Sequence, residues 1–198
     1  MPQSNEDPEG SVKRWHDVCP PWLGYFLASP VRKLWQDPRA ILEPFVAAGT
    51  TVLEPGPAMG FFTLELARLV GPSGRVVAVD LQPKMLEALR RRARKRGLEG
   101  RIEMRLATDE GMGIADLNGR VDFALAFAMV HEVKDHARFF AEVAAALRAG
   151  GRVLLAEPRG HVSDQLFAEF LRLARVNGLT PSDGPAITSS RTALLVKG

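Results

Sequence analysis

The sequence predicts an α/β fold built around a mostly parallel sheet, and three observations carry that prediction. From about residue 50, short β-branched runs alternate with amphipathic helical segments, the pattern of strand–helix–strand units. The run Val121–Phe127 is apolar nearly throughout, as a strand covered on both faces must be. A glycine-rich turn joins the first run to the helix behind it, and an aspartate closes the second run.

Taken in order, Thr51–Glu54 reads as the first strand and Gly60–Val70 as a helix stopped by Gly71-Pro72. Arg75–Asp80 (RVVAVD) is the second strand. The helix after it has Pro83 in its first turn, a favoured place for proline, and buries Met85, Leu86, Leu89 and Ala93. Arg101–Leu106 is the third strand and Val121–Phe127 the fourth. Phe139, Phe140, Val143, Ala144 and Leu147 mark one helical face, closed by Gly150-Gly151. Arg152–Glu157 (RVLLAE) is the fifth strand. Ser163 or Asp164 caps a further helix that turns Phe167, Phe170, Leu171 and Ala174 inward and stops at Asn177-Gly178. Ala186–Ser189 and Thr192–Lys197 are two short strand candidates, close enough for an antiparallel pair.

Composition narrows the classes. The chain has 198 residues, 46% hydrophobic and 25% charged, which excludes a disordered or fibrous protein. No stretch approaches the ~20 apolar residues that cross a bilayer. The opening MPQSNEDPEG is polar, has no apolar core and is not read as a secretory signal. One cysteine, Cys19, rules out an internal disulfide framework, and the expected location is cytoplasmic. The net charge is only +3, although six of the basic residues sit together in Arg90–Arg96. That run is read as the solvated face of a helix rather than a nucleic-acid site.

Residues 1–49 differ in kind. All three tryptophans, Trp15, Trp22 and Trp35, and the single tyrosine, Tyr25, lie there among Pro20, Pro21, Pro30 and Pro38. Two readings stay open: amphipathic helices packed on the sheet edge, or an aromatic lid over a ligand. The division expected is therefore an N-terminal helical, aromatic extension over 1–49 and a ligand-binding domain over 50–198.

The most informative stretch is Val52–Gly60, VLEPGPAMG, a strand entering a glycine-rich turn that opens a helix. Glycines are needed where the backbone turns sharply and approaches a ligand closely. A helix N-terminus behind such a loop offers unpaired N–H groups to polar or anionic ligand atoms. Twenty-four residues after Gly56 comes Asp80, which can accept both hydrogen bonds of a ribose diol. Together these point to an adenosine-containing cofactor. A nicotinamide site calls for G-x-G-x-x-G, and here the spacing is E-x-G-x-A-x-G. Tyr25 also has no lysine at Y-x-x-x-K spacing, which argues against a short-chain reductase.

With that spacing the sequence resembles the class I S-adenosylmethionine-dependent methyltransferases, whose first-strand motif is an acid followed by G-x-G-x-G. The resemblance covers about residues 50–160: VLEPGPAMG, VVAVD at the second strand, VDFALAFAMVHEV at the fourth, and LRAGGRVLLAEP leading into the fifth. It is nearest to the small enzymes of ubiquinone/menaquinone biosynthesis and arsenite methylation. The family implies a Rossmann-like, seven-stranded mixed sheet, mostly parallel with the last strand antiparallel, and helices on both faces. It implies S-adenosylmethionine as cofactor. Carried over, Glu54 lies near the amino-acid end of the cofactor, with Gly56, Ala58 and Gly60 in the loop beneath it. Asp80 binds the ribose, Leu81 and Met85 cover the adenine, and Thr108 or Asp109 falls where the family contacts the adenine amino group. Phe127 and the residues after it line the methionine side. Two departures stand out: Ala58 replaces the middle glycine, and Pro55 and Pro57 stiffen the loop around Gly56.

His131-Glu132, just beyond the fourth strand, is the candidate catalytic pair, because active sites of open α/β sheets gather at the carboxyl ends of the strands. Histidine titrates near neutrality and can take a substrate proton, while Glu132 can bind a cationic substrate. His161 follows the fifth strand closely enough to reach the same rim, and with Trp22 and Tyr25 it is assigned to the substrate. His136 is placed at the surface. Cys19, His16, His131 and His161 lack metal-ligand spacing, so no metal is expected. The reading is a methyltransferase acting by in-line transfer on an unidentified small-molecule acceptor, as a monomer or homodimer, with neither a membrane span nor nucleic acid as partner. Its rivals are a non-catalytic S-adenosylmethionine-binding protein and an RNA methyltransferase using Arg90–Arg96.

Overall fold

The computed structural model describes residues 36–198; Cys19, His16, Trp22 and Tyr25 lie outside the described residues. Helix α1 (Pro38–Leu42) starts at Asp37, whose carboxylate accepts from the Arg39 N–H, with Pro38 at the first helical position. Then follow β1 (Thr51–Pro55), α2 (Thr63–Leu69), β2 (Arg75–Asp80), α3 (Pro83–Arg94) and β3 (Ile102–Leu106). After these come β4 (Val121–Phe127), α4 (His136–Ala146), β5 (Leu147–Pro158), α5 (Asp164–Val176), β6 (Leu179–Asp183) and β7 (Ser190–Lys197). Of the two caps considered for α5, Ser163 is the one used, accepting from the Leu166 N–H.

The strands form one seven-stranded sheet in the order β3-β2-β1-β4-β5-β7-β6. The first five are mutually parallel, and β7 runs antiparallel between β5 and β6. Strand alternation sends side chains to two apolar clusters. Leu53, Val77, Val79, Ala124, Ala126, Val153 and Leu155 meet Phe139, Phe140, Val143 and Phe170 of α4 and α5 on one face. On the other face Val52, Val76, Ala78, Phe123, Leu125, Leu154 and Ala156 meet Leu64 and Leu66 of α2, Leu89 of α3 and Leu42 of α1. Among the described residues no helix is long and apolar enough to cross a membrane.

Four local expectations are corrected. The edge strand is Leu179–Asp183, and Ala186–Ser189 is a loop. Pro181 hides the strand in the sequence, and an edge position is where a sheet tolerates proline; Ser189 breaks the other segment at φ +60°. Helix α2 starts at Thr63 rather than Gly60, because Gly60 sits at φ +82°, outside the helical region. The α4 helix ends at Ala146, so Leu147 is buried as the first residue of β5 and not as the last of the helix. His136 is half-buried with its ring 4.8 Å from that of Phe170, not at the surface.

The chain leaves β1 toward β2 and β3, then returns to place β4 on the other side of β1. Crossovers diverge at such a point, and a crevice opens at the carboxyl ends of the strands. Removing side-chain volume from the sheet centre should be costly. Leu125→Ala is expected to lower the unfolding free energy by ~2–5 kcal/mol, and Val176→Ala, on the solvent face of α5, should stay within about 0.5 kcal/mol. Urea denaturation of the two variants checks both.

Candidate cofactor and active site

The turn after β1 carries three consecutive alternate residues in the left-handed region: Gly56 at φ +66°, Ala58 at +47° and Gly60 at +82°. Space as well as torsion demands the glycines. A Cβ on Gly56 would lie 2.9 Å from the Met129 Cβ, and one on Gly60 would run into the Leu89 side chain. Ala58 is the exception. It takes a conformation that costs an L-residue about 1–2 kcal/mol, where the resembling family has glycine. Two groups hold it there: the Ala58 N–H donates to Asp80 Oδ2 at 3.2 Å, and the Arg92 guanidinium donates to the Met59 carbonyl at 2.5 Å. Arg92 thus leaves the basic run to clamp the loop, while Arg90, Arg91, Arg94, Lys95 and Arg96 are exposed.

Among the described residues, the buried charged side chains are three carboxylates, each at or near the carboxyl end of a strand: Glu54 on β1, Asp80 on β2 and Glu157 on β5. Glu54 is 3% exposed, and neither its Oε2 nor the Thr63 Oγ1 has a hydrogen-bond partner. Burial pushes the Glu54 carboxyl up to about 8, with the Thr63 hydroxyl offsetting part of the rise and Asp80 adding to it. Asp80, 8% exposed, is pushed up to about 6 by burial, against N–H groups of Gln82 and Ala58, and Glu132 raises it further. Its Oδ1 accepts from the Gln82 N–H at 2.8 Å. Each carboxylate oxygen of Asp80 has one lone pair left for another donor.

Glu157 organises the loop beyond β4. Its Oε1 accepts from the N–H groups of Met129 and Val130 at 3.2 and 2.8 Å, and its Oε2 lies 2.5 Å from His131 Nδ1. The loop enters through Ala128 at φ +53°, fixed by an Ala128 N–H donated to the Ala156 carbonyl at 2.7 Å. Glu157 raises the His131 imidazole above its ordinary value while burial opposes it. His131 Nε2 is 4.0 Å from Glu132 Oε1, and the His161 ring stands edge-on to the His131 ring at 5.4 Å.

The structure therefore brings His131, Glu132 and His161 together, and Glu54, Gly56, Ala58, Gly60 and Asp80 gather at the carboxyl ends of β1 and β2. Leu81 is exposed on the rim, whereas Met85 is buried against Met59. Thr108 and Asp109 lie in the turn after β3, beside Ala107, whose N–H donates to the Asp80 carbonyl. Phe127 packs on Phe62 at 4.4 Å between ring centroids. Sequence reasoning missed Glu157 and Arg92. A signal for the first was present: Glu-Pro ends the fifth strand as it ends the first. Among the described residues no group of three or more His, Cys, Asp or Glu could hold a metal ion.

These groups fit a ligand with an adenosine at one end and a cation at the other. Asp80 has lone pairs for a diol, and the orphaned, buried Glu54 oxygen suits a positively charged or N–H-bearing group. A family model described as a methyltransferase domain matches residues 53–155, just over half of the chain. The chain belongs to this family. The methyltransferase domain is 32% identical over 112 residues to an arsenite methyltransferase of Halobacterium salinarum, covering 57% of this chain and 28% of the relative. It is 33% identical over 127 residues to a ubiquinone/menaquinone biosynthesis C-methyltransferase of Hahella chejuensis, covering 64% and 50%. The chain thus spans half or less of the length of these two relatives. Among solved structures, a SAM dependent methyltransferase from Aquifex aeolicus superposes with a TM-score of 0.78 at 20% identity, over 90% of this chain and 98% of that one. That likeness is one of fold, and it confirms the seven-stranded mixed sheet.

Two outcomes follow from the loop and its acids. Ala58→Gly relieves the left-handed alanine and should raise stability by about 1 kcal/mol, less the entropy that glycine adds to the unfolded chain, read by urea denaturation. Glu54 binds its proton more tightly folded, near 8, than at its ordinary 4.5. Its contribution to stability is therefore full below about 4.5 and is lost as pH rises through about 8. Glu54→Gln should flatten that decline, measured as unfolding free energy at pH 5, 6.5 and 8.

Proposed function

We propose that this chain is an S-adenosylmethionine-dependent methyltransferase acting on a small-molecule acceptor. The observation that carries the reading is the convergence of the Gly56–Gly60 loop, the unpartnered Glu54 oxygen and Asp80 at the carboxyl ends of β1 and β2. Asp80 holds the two ribose hydroxyls with its remaining lone pairs. Leu81 covers the adenine from the rim, Met85 supports the loop from beneath, and Thr108 and Asp109 face the adenine amino group. Glu54, Gly56, Ala58 and Gly60 underlie the amino-acid end, and Phe127 closes the methionine side.

When bound, S-adenosylmethionine supplies an electrophilic sulfonium methyl, so the protein's own task is orientation and exclusion of water. His131 and Glu132 stand beyond β4 to meet the acceptor, His131 as proton acceptor and Glu132 toward any positive charge on it. His161, stacked edge-on against His131, belongs to the acceptor's side of the site, and Trp22 and Tyr25 are assigned there too. The names of the relatives, arsenite methyltransferase and ubiquinone/menaquinone biosynthesis C-methyltransferase, support a small acceptor.

Thermal unfolding with S-adenosylhomocysteine, S-adenosylmethionine and NADH tests the reading. A ligand at about 100 times its Kd adds roughly 2.7 kcal/mol of stability. The two sulfur ligands should raise Tm, NADH should not, and Asp80→Ala should lose the effect. A protein stabilised by NADH alone, or by none of the three, is not a methyltransferase of this kind.

A further inference from the structure

Glu157 is the buried carboxylate that cofactor binding leaves unexplained. Its burial is complete, and the hydrogen bonds it makes among the described residues are all directed at one three-residue stretch: Met129 N–H, Val130 N–H and His131 Nδ1. Two backbone donors on Oε1 fix the carboxylate in position. Oε2 then acts as an acceptor toward the ring, so the ring hydrogen sits on Nδ1 and the lone pair on Nε2. Among the described residues, the charged and titratable groups around that ring are Glu157 on β5, Glu132 on the ring's own turn, and His161 on the turn after β5. Nε2 lies 4.0 Å from Glu132 Oε1, beyond a hydrogen bond, which leaves it open to a third group.

We propose that Glu157 is a positioning residue that holds His131 with Nδ1 protonated and Nε2 turned to the methyl acceptor, so that the acceptor is a molecule whose nucleophile carries a proton, a hydroxyl or an activated carbon acid. This rests on the methyltransferase reading above. In the step assigned to the dyad, the acceptor's O–H or C–H bond breaks and an Nε2–H bond forms. The electron pair of the broken bond stays on the nucleophilic atom and would bond to the methyl carbon as the methyl–sulfonium bond breaks, that bond's electron pair remaining on sulfur and S-adenosylhomocysteine leaving as the neutral thioether. The imidazolium that results is stabilised by Glu157 and returns its proton to water. An acceptor with no proton to lose, such as a trivalent arsenic atom, has no use for this arrangement.

Glu157→Gln is the informative variant. Its amide oxygen still accepts from Met129 and Val130, so the loop keeps its anchors, while its amide NH2 now donates to Nδ1 and drives the ring hydrogen onto Nε2. Nitrogen-15-labelled histidine in the full chain reports tautomer and titration directly, with His131→Gln identifying the resonance. Wild type should show protonated Nδ1; Glu157→Gln should show protonated Nε2 and a lower titration midpoint. The same tautomer and midpoint in both proteins would overturn the dyad.

A second arm follows transfer of a labelled methyl to catechol, to hydroquinone, and to arsenite with glutathione. Transfer to catechol or hydroquinone should fall roughly 10²–10⁴-fold in kcat in Glu157→Gln, with KM little changed and the acidic limb of the pH profile altered. Transfer to arsenite alone, equal in the two proteins, would overturn the acceptor class. Tm with S-adenosylhomocysteine separates the two ideas. A rise equal in wild type and Glu157→Gln keeps the methyltransferase reading whatever the dyad shows, and no rise in wild type removes that reading while the tautomer still decides the role of Glu157.

Discussion

Burying three carboxylates at one end of a sheet is the constraint on which the rest of this structure depends. An isolated buried charge is expensive, so each acid must protonate, attract a partner or gather backbone donors. Each does something different. Glu54 keeps one oxygen without a partner and is pushed toward its neutral form, Asp80 draws the N–H groups of Ala58 and Gln82 onto itself, and Glu157 collects two amides and an imidazole. The loops around the crevice take their shape from these demands. Asp80 bends the glycine-rich turn by way of Ala58, and Glu157 bends the segment after β4.

Those two loops press on each other. Met129 sits where a side chain on Gly56 would have to go, so the turn after β1 and the turn after β4 cannot be varied independently. Both contain an alanine in the left-handed region, Ala58 and Ala128, and each donates its N–H to a fixed acceptor. Strain of this kind persists only where the surroundings over-determine the backbone. Here the surroundings are a rigid sheet: Val52, Phe123 and Leu154 lie in adjoining strands within one cluster, and Leu53, Ala124 and Val153 lie in the other. The site is built on strand ends rather than on free loops, which suits a reaction whose demand is alignment.

The relatives divide the chain into two kinds of territory. The matched span, residues 53–155, ends just before Glu157 and contains the glycine loop, Asp80 and His131. Glu157, which holds the His131 ring, and His161, which stands edge-on to it, lie beyond that span, and identity to the solved structures is low. Function resides in such sites and not in the fold, so substrate is where members of one family differ.

Much of this was legible in the sequence. The strand–helix alternation, the glycine turn, Asp80 at its distance and the pairing of His131 with Glu132 follow from local patterns, because period, turn chemistry and chain direction are local properties. Where local signals conflicted, the reading went astray: Pro181 masked an edge strand, and Gly60 resembled a helix start while serving as a left-handed turn. Tertiary structure alone decided that Arg92 clamps Met59 and that Glu157, 26 residues beyond His131, closes on its ring. Such partners meet only because strands β4 and β5 lie side by side in register, Phe127 opposite Ala156. Sequence determined which carboxylates end the strands; the pairing of those strands determined what each carboxylate holds, since a hydrogen bond of that length depends on position in space and not on separation along the chain.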